Sequence, residues 1–295
     1  MKAFEGIFAV MLTAYDEMGD IDREATCRMV DYLIEGGVHG LVILGSNGEC
    51  PYLCHHHQKD VIDTVVEACG KRVPVIVGIN ERGADPALEM ARYADEAGAD
   101  GLLAALSIFY KLDEESVQDY YHAIRSAVKI PVLYYNFPSH TGLSLSAKSI
   151  AALAKKENLV GAKETIFDVE EVRELVRETG DDFSVFTGMC LNIAETMAAG
   201  ARGAICPLPN VIPEKTVALY EACKAGDSEK VRELRDEVNS FAPLLASSPA
   251  PQAMLKEALR LLGHEISVCV KNPLPQLSNE QGEVVRRLLE DKGMI

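Results

Sequence analysis

A lysine closes a short apolar run, Leu159-Val160-Gly161-Ala162-Lys163, and is followed by Glu164 and Thr165. At the end of a buried strand a lysine can be taken out of water, which disfavours its charged form and frees the amine as a nucleophile. Such an amine attacks a ketone to give an imine, and the protonated imine then draws electrons from the neighbouring carbons. The structural alternative is a strand-end lysine that snorkels to solvent. A second apolar run, Val132-Leu133-Tyr134-Tyr135, ends in a phenol and is followed by Asn136-Phe137-Pro138. On a neighbouring strand Tyr135 would be close enough to exchange protons with chemistry at Lys163, although a buried tyrosine with a bonded hydroxyl is the more ordinary reading. A third segment, Gly45-Ser46-Asn47-Gly48-Glu49, sets two glycines around two small polar residues. A turn of this kind can aim consecutive N–H groups at a carboxylate, but a Gly-x-x-Gly turn alone is weak evidence.

Other constellations fail sooner. Gly78-Ile79-Asn80-Glu81-Arg82-Gly83 has two glycines at P-loop spacing, yet Ala84 and Asp85 stand where Lys and Ser/Thr belong. His55, His56 and His57 are consecutive, and consecutive helix residues point in different directions. Cys50 and Cys54 have no second pair at zinc spacing. No metal site is expected. Gly188 could serve a phosphate, but Cys206-Pro207-Leu208-Pro209 is stiff and poor in donors, so a phosphorylated substrate is not expected.

The elements that would position these residues follow from the apolar pattern. Strands are expected at Ile7–Leu12, Gly40–Leu44, Val73–Ile79, Gly101–Leu106, Val132–Asn136, Leu159–Lys163, Phe183–Thr187 and Gly203–Cys206. Between them lie helix patterns at Glu24–Glu35, Gln58–Ala68, Pro86–Ala97, Glu114–Val128, Ala147–Lys155 and Val169–Glu178. Several strands are apolar throughout, which is the mark of a parallel sheet covered on both faces. Gly36-Gly37, Ala97-Gly98 and Ala199-Gly200 each precede a strand, as helix caps that turn the chain inward. The fold class is therefore α/β, a (β/α)8 TIM barrel over residues 1–225 with its site at the C-terminal ends of the strands. Residues 226–295 carry helix patterns near Glu229–Phe241, Gln252–Leu262 and Glu280–Leu289 and no convincing strand, and are expected to form a helical extension.

Composition narrows the partners. The 295 residues are 48% hydrophobic and 25% charged, the profile of a folded globular chain. A net charge of −16 disfavours nucleic acid and anionic membrane as partners. No apolar run reaches the ~18 residues of a membrane helix, and the N-terminal stretch, interrupted by Glu5, lacks a leader's cleavage site. Eight scattered cysteines suggest reduced, buried thiols and a cytoplasmic location.

With these motifs in order, the chain resembles the dihydrodipicolinate synthase / N-acetylneuraminate lyase family of Schiff-base class I aldolases. Gly45–Glu49 looks like that family's carboxylate-binding turn, Tyr135-Asn136-Phe137-Pro138 its tyrosine motif and Gly161-Ala162-Lys163-Glu164 its lysine motif. The resemblance implies that Lys163 forms the imine with pyruvate or a longer 2-keto acid and that Tyr135 is the general acid/base, with Ser46 relaying protons to it. It implies that Asn47, with Ser46 and Gly48, receives the keto-acid carboxylate and that Ile205 packs near the pyruvate methyl. Phe109-Tyr110 resembles an aromatic pair whose tyrosine reaches into a neighbouring subunit's site, which implies a homotetramer or homodimer. No metal or organic cofactor is implied.

Departures bear on the aldehyde partner. The synthases place an arginine after the proline to grip a carboxylate, whereas this chain has His140, a poor substitute for a bidentate guanidinium. The sialic-acid lyases carry acidic residues after the seventh strand's glycine, whereas Gly188 is followed by Met189 and Cys190. Thr165, and the run through Thr141 and Gly142, look like 2-keto-3-deoxy sugar-acid aldolases. The leading expectation is a lyase that joins or separates pyruvate and an aldehyde within such a sugar acid. The alternative is 4-hydroxy-tetrahydrodipicolinate (dihydrodipicolinate) synthase, which condenses pyruvate with aspartate semialdehyde. A non-catalytic keto-acid-binding barrel is the rival from another class.

Overall fold

Phe8, Val10, Val42, Ile76, Leu103, Leu133, Tyr135, Phe186 and Ile205 meet in one buried cluster, although they come from seven different strands. They fill the inside of a barrel. In the computed structural model, which describes residues 4–295, eight parallel strands close on themselves in sequence order, β8 pairing back onto β1. Residues 1–3, where the leader reading and the expected barrel unit both begin, lie outside the described residues. The strands are β1 Gly6–Val10, β2 Gly40–Ile43, β3 Val75–Ile79, β4 Gly101–Ala104, β5 Val132–Asn136, β6 Gly161–Glu164, β7 Ser184–Thr187 and β8 Gly203–Cys206. All eight lie where the apolar runs place them, with ends that differ by a few residues. β1 stops at Val10 because the chain leaves the barrel there, with Leu12 N–H turned to Asn210 Oδ1 at 3.4 Å.

Alternate residues explain why the strands read as continuously apolar. Ile7, Ala9, Leu41, Ile43, Val75, Val77, Leu102, Val132 and Val185 point outward into a second buried cluster shared with the helices. Both faces of each strand are covered, and burying each aliphatic side chain contributes about 1.5–3 kcal/mol. The covering helices are α1 Arg23–Glu35, α2 His55–Cys69, α3 Ala84–Ala97, α4 Glu114–Ala127, the short α5 Pro138–Thr141, α6 Ala147–Glu157, α7 Val169–Thr179, α8 Ile193–Ala198 and α9 Pro213–Ala225. Asp113 and Asp168 cap α4 and α7 by accepting from Ser116 and Glu170 N–H groups. The three repeated caps behave as expected: Gly37, Gly98 and Gly200 have φ of 83°, 92° and 101°, the left-handed turn open to glycine.

Helix α9 has no counterpart among the expected elements. It packs against β1 on one side and α10 on another, so its apolar residues do not gather in a single stripe. Beyond it run α10 Ser228–Asn239, the short α11 Pro243–Ala246, α12 Gln252–Leu261 and α13 Asn279–Asp291. Met254, Leu255, Ala258 and Leu259 of α12 join the same buried cluster as the outer face of the barrel. None of the described helices is long and apolar enough to cross a membrane. All eight cysteines are free, and the expectation that they are buried needs correction, since Cys54 and Cys269 are exposed.

Candidate active site

Lys163 is the third residue of β6, and its strand neighbours are Tyr135 on β5 and Phe186 on β7, both in register with it. Residues in register point to the same side, here the barrel interior. Lys163 is 2% exposed. The Lys163 Nζ donates to the Tyr135 hydroxyl at 3.3 Å and lies 4.3 Å from the centre of that ring. Phe186 and Ile205 belong to the apolar floor that holds Tyr135, and Phe8 meets Phe186 edge-on at 5.6 Å. The buried amine therefore sits on a hydrocarbon base with a phenol at its side.

The Tyr135 hydroxyl also lies 3.4 Å from Ser46 Oγ. Ser46 belongs to the turn after β2, and the backbone around that turn is constrained from both ends. Leu44 and Glu49 take left-handed conformations, with φ of 55° and 60°. The Leu44 carbonyl accepts from Asn80 Nδ2 at 2.7 Å. Within the turn the N–H groups of Gly48 and Glu49 donate to the carbonyls of Gly45 and Ser46 at 3.1 Å each. Those of Ser46 and Asn47 have no acceptor among the described residues. Gly48 thus differs from its neighbours: its N–H is engaged inside the turn, and its carbonyl accepts from Thr13 Oγ1 at 2.7 Å.

Gly188 follows β7 and shows why no side chain fits there. A Cβ on Gly188 would fall 2.1 Å from Thr165 Oγ1 and 2.8 Å from Lys163 Cε. Thr165 Oγ1 is buried without a partner, while Thr165 N–H is tied to the Asn136 carbonyl at 2.9 Å. A hydroxyl left unpaired beside the lysine stem is a ready contact for a substrate oxygen. His140, on α5, stacks on Phe137 with ring centres 3.9 Å apart, and partial burial pushes its pKa below the usual imidazole range. Tyr110 is 76% exposed beside the still more open Phe109, and its hydroxyl bonds none of Lys163, Tyr135 or Ser46 in this chain.

Glu164 points away from Lys163, into the layer between barrel and helices. Its Oε2 accepts from Asn136 Nδ2 at 2.7 Å, while Oε1 is buried without a partner. Desolvation raises its pKa from 4.5 to about 7, against the lowering effect of the Asn136 bond. The three consecutive histidines diverge, His55 toward Glu81 and Glu89, His56 toward Asp60 and His57 toward Asp20. No group of three metal-ligating side chains is assembled among the described residues.

Three residues that support the site were assigned no part in it by the sequence motifs, Asn80 standing only in the rejected P-loop-like segment. Asn80 holds Leu44, Gln252 on α12 donates its Nε2 to the Ser46 carbonyl at 3.0 Å, and Lys256 reaches Glu49 at 2.7 Å. Glu49 ends a motif already noticed, so its burial could have been questioned. Lys256 stands in an amphipathic helix, where a lysine reads as a solvent-facing residue.

The sequence profile of the dihydrodipicolinate synthetase family matches residues 3–292. The chain belongs to that family. It is thus an enzyme of the aldolase and lyase kind. Among its relatives, the 4-hydroxy-tetrahydrodipicolinate synthase of Methanopyrus kandleri is 34% identical, over 99% of this chain and 97% of that one. A probable 2-dehydro-3-deoxy-D-pentonate aldolase of Escherichia coli, YjhH, is 30% identical over 100% of this chain and 99% of that one. Among solved structures, YagE of E. coli in complex with pyruvate superposes with a TM-score of 0.95 at 28% identity, covering 99% of each chain.

Two outcomes follow from this geometry. Gly188→Ala must displace Lys163 or Thr165, and turnover is expected to fall roughly 100-fold, as for a misplacement of about 1 Å. Steady-state kinetics at an unchanged urea midpoint check this. Glu164 has a raised pKa, so its contribution to stability is full below pH 4.5 and is lost as pH rises to about 7. Glu164→Gln has no such proton to lose. Its stability relative to the parent should grow across that window by on the order of 3 kcal/mol and level off above it. Urea unfolding of both proteins from about pH 4.5 to 8 tests this, and a gap that does not vary with pH would refute it.

Proposed function

We propose that the protein is a class I aldolase acting through an imine at Lys163, with pyruvate as the common keto acid and a 2-keto-3-deoxy sugar acid as the larger substrate. The observation that carries this reading is the line from Lys163 Nζ to the Tyr135 hydroxyl at 3.3 Å and on to Ser46 Oγ at 3.4 Å, inside the barrel mouth. A nucleophile with a proton carrier at its side and a second hydroxyl behind it is the arrangement imine chemistry needs.

In the cleavage direction the Lys163 amine adds to the C2 carbonyl and water leaves, giving the iminium. Tyr135, having given its proton to the oxygen that leaves C2 as water, stands as a phenolate beside the Ser46 hydroxyl and takes the proton of the C4 hydroxyl. The C3–C4 bond breaks, its electron pair moves into the iminium to form an enamine, and the C4 carbon departs as an aldehyde. Protonation of the enamine at C3 and addition of water return pyruvate and free Lys163. The iminium accepts the electron pair itself, so the scheme calls for no metal or organic cofactor. The N–H groups of Ser46 and Asn47 would receive the carboxylate, with Gly48 shaping the turn rather than donating. Ile205 would line the methyl end and Thr165, beside Gly188, would meet a substrate hydroxyl.

His140 bears on the aldehyde. A desolvated, stacked imidazole is mostly neutral at neutral pH and offers no bidentate grip on a second carboxylate. This favours a polyhydroxylated aldehyde over aspartate semialdehyde. The exposed Phe109 and Tyr110 support assembly into a homodimer or homotetramer in which Tyr110 completes a neighbour's site. A cytoplasmic location belongs to the same proposal, supported by eight free cysteines.

Borohydride reduction in the presence of pyruvate should leave a stable adduct on Lys163, located by peptide mass spectrometry. Lys163→Ala should lose both adduct and turnover, whereas Tyr135→Phe should form the adduct slowly and turn over at most about one-hundredth as fast. Near-normal turnover in either variant would remove that residue from its role. A screen of aldehydes should rank sugar-derived ones above aspartate semialdehyde, and His140→Arg should shift the ranking toward the semialdehyde. An unchanged ranking would show that position 140 does not select the partner.

A further inference from the structure

Glu49 and Lys256 form an ion pair in which both side chains are fully buried. Lys256 Nζ lies 2.7 Å from Glu49 Oε1, donates to the Cys269 carbonyl at 2.7 Å and sits 4.4 Å from the centre of the Tyr15 ring. The other carboxylate oxygen, Oε2, accepts from Lys271 N–H at 2.7 Å. Both oxygens of Glu49 are thus bound to the C-terminal extension. A further bond joins the same two parts of the chain, from Gln252 Nε2 to the Ser46 carbonyl.

Holding a helix on a barrel does not require charge. Taking two charges out of water is costly, and a well-packed apolar pair is often as stabilising or more so. What an apolar pair cannot do is fix the direction of a backbone. The turn that Glu49 ends begins and finishes with left-handed residues that carry side chains, and such backbone persists only where its surroundings over-determine it. Thr13 and Asn80 fix it from the barrel side. Glu49 and the Ser46 carbonyl are fixed by α12 and the segment after it.

We propose that Glu49, Lys256 and Gln252 are positioning residues, through which the C-terminal extension sets the aim of the Ser46 and Asn47 N–H groups at the keto-acid carboxylate. The proposal rests on the reading above that this turn receives that carboxylate. Ser46 is gripped at its carbonyl, which leaves its hydroxyl to face Tyr135. None of the three residues touches substrate; they act through the turn.

The test uses the full chain and two ketones. Pyruvate carries the carboxylate and acetone does not, yet both can form an imine that borohydride traps on Lys163. Lys256→Met alone would strand a buried carboxylate, so the informative variants are Glu49→Gln combined with Lys256→Met, and Gln252→Ala. In each, the pyruvate concentration that half-saturates trapping should rise roughly tenfold or more, while the maximal rate stays within about twofold. Trapping with acetone should not change. If the double variant does not fold, Gln252→Ala decides the matter. A half-saturating concentration equal to the parent's in folded protein would overturn the proposal, and so would an equal loss with acetone, which would mean a general disturbance of the barrel. Absence of any pyruvate adduct in the parent protein would instead overturn the functional reading.

Discussion

The pairing of β5 with β6 is the constraint on which the site depends. Tyr135 stands opposite Lys163, and the two side chains share the barrel interior. Strand side chains alternate, so a slip of one residue would send one of them into the helical layer and bring Tyr134 or Glu164 inside instead. The interior is a poor place for a carboxylate without donors, and the floor of Phe8, Phe186 and Ile205 offers none. Closure of eight strands in register, with apolar residues on both faces, makes that slip unaffordable for the whole sheet. The chemistry of one pair is thereby guaranteed by the packing of the other strands.

Much of this was readable in the chain because it is local. An apolar run of four to six residues ending in Lys163 or Tyr135 shows a buried strand and its chemical end at once, and the Gly37, Gly98 and Gly200 caps mark where β2, β4 and β8 begin. What escaped reading is what depends on distant partners. Lys256 and Glu49 are 207 residues apart, and nothing near either announces the other. Helix α9 has neighbours on two sides and so no amphipathic stripe to detect. That the turn closes on itself through the Gly48 N–H, leaving those of Ser46 and Asn47 open, is a detail that only backbone geometry decides. The role proposed for Tyr110 is one that a single chain cannot display.

The electrostatics of the protein have a similar division of scale. With a net charge of −16 the surface as a whole repels anions, yet the proposed substrate is a carboxylate. The turn after β2 offers neutral backbone dipoles rather than a cationic side chain. Binding by dipoles held in place does not depend on a long-range positive field, and is little weakened by salt. Behind the lysine, burial raises the pKa of Glu164 to about 7, so near neutral pH it carries less negative charge than an exposed carboxylate would. Attraction of the proposed substrate would thus be short-range and geometric.

The bonds between Glu49 and the segment from Lys256 to Lys271 also impose an order in time. During synthesis the turn after β2 leaves the ribosome early, and the residues that anchor it follow more than 200 positions later. At about 5–20 residues per second, that delay is on the order of 10–40 s. Throughout it the strained turn lacks half of its supports and the carboxylate of Glu49 is without its ammonium partner. A nascent barrel can therefore close before the turn proposed to receive the carboxylate is set, and on that reading the enzyme becomes competent only when the last quarter of the chain has been made.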